Sequence, residues 1–294
     1  MNHQSDVRVT ILMGGPDRER DVSLASGEQV AEALLRHGSF TVKRCVIDAP
    51  TAEELESICS ETDVILPILH GPWGEGGSLQ AALETLGIPF LGSRAKAAAI
   101  AMDKIATKII ADEIGLPTPK WEYLGEGQSP TLSPPIVLKP VDDGSSFGVQ
   151  IHREQVPAMV ERACLCERFI DGRELTLSVL NGEALPIIEI VPSDGFYDFA
   201  AKYDRDDTTY LLNPTLDKTI EDALKRDSIA ICQHLGVRHL ARVDWLLDGD
   251  GPWFLEVNTM PGMTTHSLLP MAAAELGLDM PALCARLVDI ALIP

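Results

Sequence analysis

The run VRVTILMGG (7–15) is mostly apolar and ends in glycines, which predicts a buried strand and a turn. Residues 23–37 have helical composition, and Gly38 supplies a stop. FTVKRCVID (40–48) predicts a second strand and DVILPILHG (63–71) a third. The third is apolar almost throughout, as in a parallel sheet covered on both faces. A short helix over 78–87 and a fourth strand over 88–93 follow. Strands alternating with helices imply an open α/β domain over residues 1–93.

The pattern then changes. An alanine-rich stretch predicts one helix over 95–114, stopped by Gly115. PPIVLKPVDDGSSFGVQIHR (134–153) reads as strand, Gly/Ser-rich loop, strand. RELTLSVLNGEALPIIEIV (173–191) reads as two strands around Asn181-Gly182, a type I′ hairpin signal. Residues 193–214 have no clear period, and so long a link is often functional. A helix near 217–235 and a last hairpin over 242–258 complete the outline. The fold class is therefore α/β followed by α+β.

The last hairpin, RVDWLLDGDGPWFLEVN, carries polar residues where a buried strand should be apolar. Alternation puts Arg242, Asp244 and Leu246 on one face of its first strand. It puts Phe254, Glu256 and Asn258 on one face of the second, with Leu255 and Val257 opposite. Pairing about Asp250 sets Asp244 against Glu256 and Arg242 against Asn258. Opposed carboxylates repel, so a cation belongs between them. Arg242 could supply it as part of a structural ion network. A divalent metal could equally do so, because carboxylate and amide oxygens suit Mg²⁺.

Other stretches bear on that choice. Lys139 stands at a strand end before Gly144, Ser145, Ser146 and Gly148. Glycines let backbone N–H groups approach phosphate oxygens, and a lysine adds a point charge; an ordinary hairpin turn has the same composition. Neither a Walker-type loop nor G-x-G-x-x-G is present. Lys104 in MDK reads as a second phosphate cation or a solvated helix face.

Composition narrows the classes. The 294 residues carry 44 acids against 24 bases, a net charge of −20. That disfavours nonspecific binding to nucleic acid or anionic membranes. No stretch reaches the roughly 18 apolar residues of a membrane span. The six cysteines show neither C-x-x-C nor zinc spacing, so free thiols in a reducing cytoplasm are expected.

Taken together these motifs resemble the D-alanine–D-alanine ligase family of the ATP-grasp superfamily, over nearly the whole chain and in order. EVNTMPGMTTHSLLPMA (256–272) matches E-x-N-T-x-P-G-M-T-x-x-S-L-x-P. HGPWGEGG (70–77), MDK (102–104), GSSFGV (144–149), AKYD (201–204) and RVD (242–244) fall at family positions. The resemblance implies a three-domain ATP-grasp fold: residues 1–93, a central ATP-grasp part over 94–170, and a C-terminal part over 171–294 with a lid at 193–214. It implies that ATP phosphorylates the carboxylate of one D-alanine and that the amine of a second displaces phosphate.

Roles follow by position. Lys104 and Lys139 would meet the ATP phosphates, with Ser146 in the phosphate loop and Lys202 in the lid. Glu167 and Ile170 would border the adenine, and Glu174 the ribose. Asp244, Glu256 and Asn258 would hold two Mg²⁺ (or Mn²⁺), with Glu256 bridging. Arg242 and the backbone N–H of Gly262 would stabilise the acyl phosphate and the tetrahedral oxyanion. Glu19 would accept the first D-alanine's ammonium, and His70 would lie near its carboxylate. Ser267 and Leu268 would take the second carboxylate. Tyr203 would close the lid through Ser145 onto Glu19 and exclude water. A cytoplasmic homodimer acting on small molecules is the expectation. Departures stand beside this: Gly76 replaces an aspartate usual in the 70–77 loop, and Pro72-Trp73 stiffen it. Alternatives are a different acceptor such as D-serine, a nucleotide-binding relative without turnover, and a metal phosphohydrolase.

Overall fold

The computed structural model describes residues 7–144, 147–192 and 207–293. It opens with β1 (Val7–Gly14), α1 (Arg20–His37), β2 (Phe40–Ile47), α2 (Ala52–Ile58), β3 (Val64–Pro67), α3 (Gly71–Glu75) and α4 (Ser78–Leu86). The strands form a parallel sheet in the order β2-β1-β3. The helix α1 ends at Gly38 in the left-handed conformation, as the glycine predicts. The expected strand over 88–93 shrinks to a single bridge, Ile65 to Phe90. Pro89 has no N–H to extend the ladder, and Gly92 turns the chain away at φ 99°.

The single helix expected over 95–114 is two, α5 (Ala95–Met102) and α6 (Lys104–Glu113). The break is chemical. The carboxylate of Asp103 accepts from the N–H groups of Ile105 and Ala106, so it caps a new helix. Lys104 thereby becomes the first residue of α6, facing a cavity. The strands β4 (Trp121–Leu124), β5 (Ile136–Pro140), β6 (Gln150–His152) and β7 (Cys164–Arg168) form an antiparallel sheet, β4-β7-β5-β6.

The largest sheet comes from β8 (Arg173–Leu180), β9 (Glu183–Ala184), β10 (Ile188–Val191), β11 (Thr209–Leu212), β12 (Leu240–Asp248) and β13 (Gly251–Asn258). Its order is β11-β10-β8-β12-β13, with β9 paired to β8. Asn181 and Gly182 both have positive φ, as a type I′ turn requires. The stretch 193–214 is not wholly loop: Thr209–Leu212 form edge strand β11 against β10. The helix α7 (Lys218–Leu235) precedes β12, and α8 (Leu268–Glu275) and α9 (Met280–Leu292) close the chain. The class is α/β plus α+β, as the pattern predicts.

Two cores lock these parts together. Trp245, Phe254, Val243 and Val257 pack with Ala101, Ala111, Leu224 and Ile231, so α5, α6 and α7 cover one face of the large sheet. The C-terminal helix α9 packs on the N-terminal sheet: Leu283, Leu287 and Val288 join Val9, Ile11, Val30, Leu34 and Leu66. Chain start and chain end therefore share one core, which fixes the walls of the cavity between them. Among the described residues no single helix is long and apolar enough to cross a membrane.

Candidate active site

The hairpin of β12 and β13 sets the geometry. Arg242 pairs with Asn258 and Asp244 with Glu256, the register expected about Asp250. The simple alternation fails one step later. Trp245 pairs with Phe254, leaving Leu255 as an extra residue at a bulge. Phe254 therefore does not share a face with Glu256. It turns into the core and meets Trp245 edge-on, ring centroids 5.6 Å apart. Leu255, expected opposite, joins Glu256 in lining the cavities. The bulge lets one short strand bury a large aromatic and still present Leu255 and Glu256 to the site.

Two cavities meet at this hairpin. One, of about 990 Å³, is lined by Glu19, His70, Glu75, Arg242, Asn258, Gly262, Ser267 and Leu268. The other, of about 720 Å³, is lined by Lys139, Glu167, Ile170, Glu174 and Asp244. Lys104, Asp143, Gly144, Leu255 and Glu256 line both. Every site residue expected from the sequence and lying in the described segments thus borders one or both. Ser145, Ser146, Lys202 and Tyr203 lie outside the described residues.

The cationic end belongs to the second cavity. Lys104 Nζ donates to the Asp143 carbonyl at 2.5 Å and lies 4.0 Å from Glu256 Oε2. Lys139 pairs with Glu167 Oε1. Burial alone would lower the Lys139 pKa, but Glu167 and Glu256 raise it, so the ammonium is kept. Burial would likewise push Glu167 up, yet Lys108 and Lys139 hold it below the usual carboxylate range. Glu167 Oε2 forms an ion pair with Lys108 Nζ at 3.1 Å. Apolar walls come from Val137, Ile170 and Leu246.

At the junction the ion network is explicit. Arg242 forks onto Asp244, Nε to Oδ1 at 2.9 Å and Nη2 to Oδ2 at 2.8 Å. Thr176 donates to Oδ1 at 2.7 Å. Of the four acceptor positions of Asp244, these bonds fill both on Oδ1 and one on Oδ2. Asn258 Oδ1 accepts from Met260 N–H at 3.0 Å and retains its second lone pair. Among the described residues no three His, Cys, Asp or Glu side chains converge as a metal set. The oxygen donors Asp244, Glu256 and Asn258 nevertheless suit a hard divalent cation, which takes few protein ligands and shares the rest with phosphate and water.

The first cavity is built by three loops. Gly71, at φ 83°, opens α3, and a Cβ there would strike Asp17. Asp17 Oδ2 accepts from Trp73 N–H at 2.8 Å and Gly74 N–H at 3.2 Å. Glu75 accepts from Gly71 N–H and Met260 N–H, both at 3.2 Å, and so ties α3 to the segment after β13. This supplies the order that Gly76 put in doubt. A side chain at 76 would place its Cβ 2.2 Å from the Pro72 carbonyl, so this backbone excludes the aspartate. Burial, then the neighbouring Glu19 charge, lifts Glu75 to about 8. The sequence alone assigns no role to Glu75 or Lys108. The EG inside the 70–77 motif was the only available signal for the first, and a lysine on an amphipathic helix gives none for the second.

His70 is 4% exposed, and its Nδ1 lies 3.0 Å from the Met260 carbonyl. A carbonyl only accepts, so Nδ1 carries the proton. Nε2 is buried without a protein partner. Burial, opposed by that bond and helped by Arg242, lowers the pKa to about 4. A depressed histidine contributes stability that is present above its unfolded value of 6.5 and is lost as pH falls through 4. Its share is on the order of 3 kcal/mol. Urea midpoints of the wild type should therefore fall more steeply between pH 6.5 and 4 than those of His70→Gln. Parallel curves for the two proteins would contradict this assignment.

At the far wall Gly262 lies close to Ser267: a Cβ there would stand 2.8 Å from Ser267 Oγ and would push that hydroxyl aside. Ser267 Oγ accepts from Thr264 N–H at 3.0 Å, and Ser267 is the N-cap of α8. The N–H of Leu268, first in that helix, has no intrahelical acceptor and suits a carboxylate.

The chain resembles proteins of one family along most of its length. The family described as D-ala D-ala ligase N-terminus matches residues 41–93, and D-ala D-ala ligase C-terminus matches 111–289. A D-alanine–D-alanine ligase of Magnetococcus marinus is 40% identical, covering 96% of each chain. That of Stutzerimonas stutzeri is 41% identical, over 96% of this chain and 93% of its own. The crystal structure of the Bacillus anthracis D-alanine–D-alanine ligase complexed with ATP superposes with a TM-score of 0.84 at 30% identity, covering 98% of both chains. The chain belongs to the D-alanine–D-alanine ligase family.

Proposed function

We propose that the chain joins two D-alanines at the expense of ATP, with the nucleotide in the 720 Å³ cavity and the amino acids in the 990 Å³ cavity. The observation that carries this is the shared wall of Lys104, Leu255 and Glu256, which suits transfer of a γ-phosphoryl group from one cavity to the other. Ile170 and Val137 suit the faces of the adenine, and Glu167, paired with Lys139, borders the same cavity. Glu174 faces the ribose.

A carboxylate is a poor acyl donor: its charge repels an amine, and oxide does not leave. Transfer of the γ-phosphoryl group to the first D-alanine cures both faults, and ADP departs. The amine of the second D-alanine then attacks the acyl carbon, and phosphate leaves from the tetrahedral intermediate. Such transfer asks mainly for positioning and neutralised charge. Lys104 and Lys139 neutralise the phosphates. Glu19 accepts the first ammonium, and His70 sits beside that substrate. Arg242 and Gly262 N–H meet the developing oxyanion. Ser267 and Leu268 N–H hold the second carboxylate. Asp244, Glu256 and Asn258 would hold Mg²⁺ (or Mn²⁺), whose charge would screen the phosphate oxygens from the incoming carboxylate.

Tyr203, Ser145, Ser146 and Lys202 complete the proposal as the lid and phosphate-loop groups that exclude water. Domain limits at 93 and 170, a cytoplasmic setting in peptidoglycan precursor synthesis and a homodimer belong to the same reading. The dimer predicts a light-scattering mass of about twice 31.9 kDa. The primary test is phosphate release from MgATP with D-alanine, D-serine, D-lactate or L-alanine, singly and paired, with mass spectrometry of the product. Release with D-alanine alone, matched by D-alanyl-D-alanine, is expected. Release only when D-serine is added would move the acceptor assignment. No release from protein that binds ATP would overturn the reading.

A further inference from the structure

Lys108 lies one turn beyond Lys104 on α6 and is 1% exposed. It lines neither cavity. Its Nζ donates to Thr118 Oγ1 at 2.5 Å and to the Phe254 carbonyl at 3.0 Å. It stands 3.1 Å from Glu167 Oε2, while Lys139 holds Oε1 of the same carboxylate. One buried carboxylate is thus shared by two lysines, and with both protonated a unit of positive charge is left over; burial pushes the Lys108 pKa down, and Glu167 opposes that.

That surplus has a direction. Lys108 is enclosed by Thr118, Phe254 and Glu167, so it cannot turn outward. Lys139 borders the nucleotide cavity. Without Lys108, Glu167 and Lys139 would form an isolated neutral pair, which a low-dielectric interior favours strongly once it exists. Lys139 would then be held back on Glu167 instead of meeting phosphate.

We propose that Lys108 is a positioning residue for nucleotide binding: by sharing Glu167 it prevents that carboxylate from neutralising Lys139. A second effect follows from the same contact. The Phe254 carbonyl immediately precedes the Leu255 bulge, so Lys108 also pins the turn that presents Glu256 to the phosphates. The inference rests on the reading of Lys139 as a phosphate ligand.

Steady-state kinetics of the intact enzyme with MgATP and D-alanine test it. Lys108→Met should raise the KM for ATP about tenfold while the KM for D-alanine stays within about twofold. Lys108→Gln keeps a donor for Thr118 and Phe254 but no charge; it should show the same split, and it serves if the methionine variant does not fold. The decisive variant is Lys108→Met with Glu167→Gln. With the carboxylate gone Lys139 is released, so most of the lost ATP affinity should return. A purely structural role gives no such recovery. An ATP KM unchanged in the Lys108 variants, or a double variant no better than Lys108→Met, would overturn the proposal. Lys139→Met separates the two ideas. If it leaves the ATP KM unchanged, the phosphate reading itself fails; if it raises that KM while Lys108→Met does not, only the positioning role fails.

Discussion

Replacing Glu256 by glutamine should lower kcat by about three orders of magnitude, roughly 4 kcal/mol of transition-state stabilisation, with little loss of fold. The amide preserves shape but removes the charge at the point where both cavities meet. Two observations bound the structural cost. The side chain is 38% exposed, and its ion pair with Lys104 is long, at 4.0 Å. Partly exposed pairs of that kind contribute about 0–1 kcal/mol. Turnover measured beside a thermal melt decides the matter. A kcat within about tenfold of wild type would remove Glu256 from the phosphate chemistry. An unfolded variant would leave its catalytic role unsupported.

Arg242→Met should cost both stability and turnover. Asp244 is 7% exposed and depends on both arms of the guanidinium; Thr176 alone cannot balance its charge. Removing one partner of a buried pair typically costs about 3–5 kcal/mol. Adding Asp244→Asn should recover much of the folding loss, because the orphaned charge is gone. It should not recover turnover, because on the proposed roles both the oxyanion cation and a metal ligand would then be missing. Denaturant midpoints and kcat of the two variants test this. A double variant that regained activity would show the pair to be an internal brace outside the chemistry. Lys in place of Arg242 keeps charge but loses the fork, so it should rescue less than half of either loss.

These two residues show why the hairpin is built as it is. Strand pairing places Asp244 against Glu256, and each carboxylate has a different cation: Arg242 for Asp244, Lys104 for Glu256. An ion network and a metal site need not exclude each other. Three filled positions on Asp244 leave one open, so the two are compatible in a single site.

Much of this was legible in the chain itself. Periodicity located α1 with its Gly38 stop, the Asn181-Gly182 turn and the pairing of Asp244 with Glu256, because each depends on neighbours a few residues away or on strict alternation. The match of 256–272 to a family motif carried the site assignments. Tertiary structure decided the rest. Alternation could not anticipate the Leu255 bulge, because it arises from the demand that Phe254 join Trp245 in the core. Composition favoured one helix over 95–114; Asp103 caps where it does because Lys104 N–H has its partner in the distant Val141 carbonyl. Glu75 and Lys108 gain meaning only from groups 185 and 146 residues away, the Met260 N–H and the Phe254 carbonyl. Local sequence therefore determined the elements and the types of chemistry at the hairpin. Burial and long-range pairing determined which charges neutralise each other, and hence which are left to face a substrate.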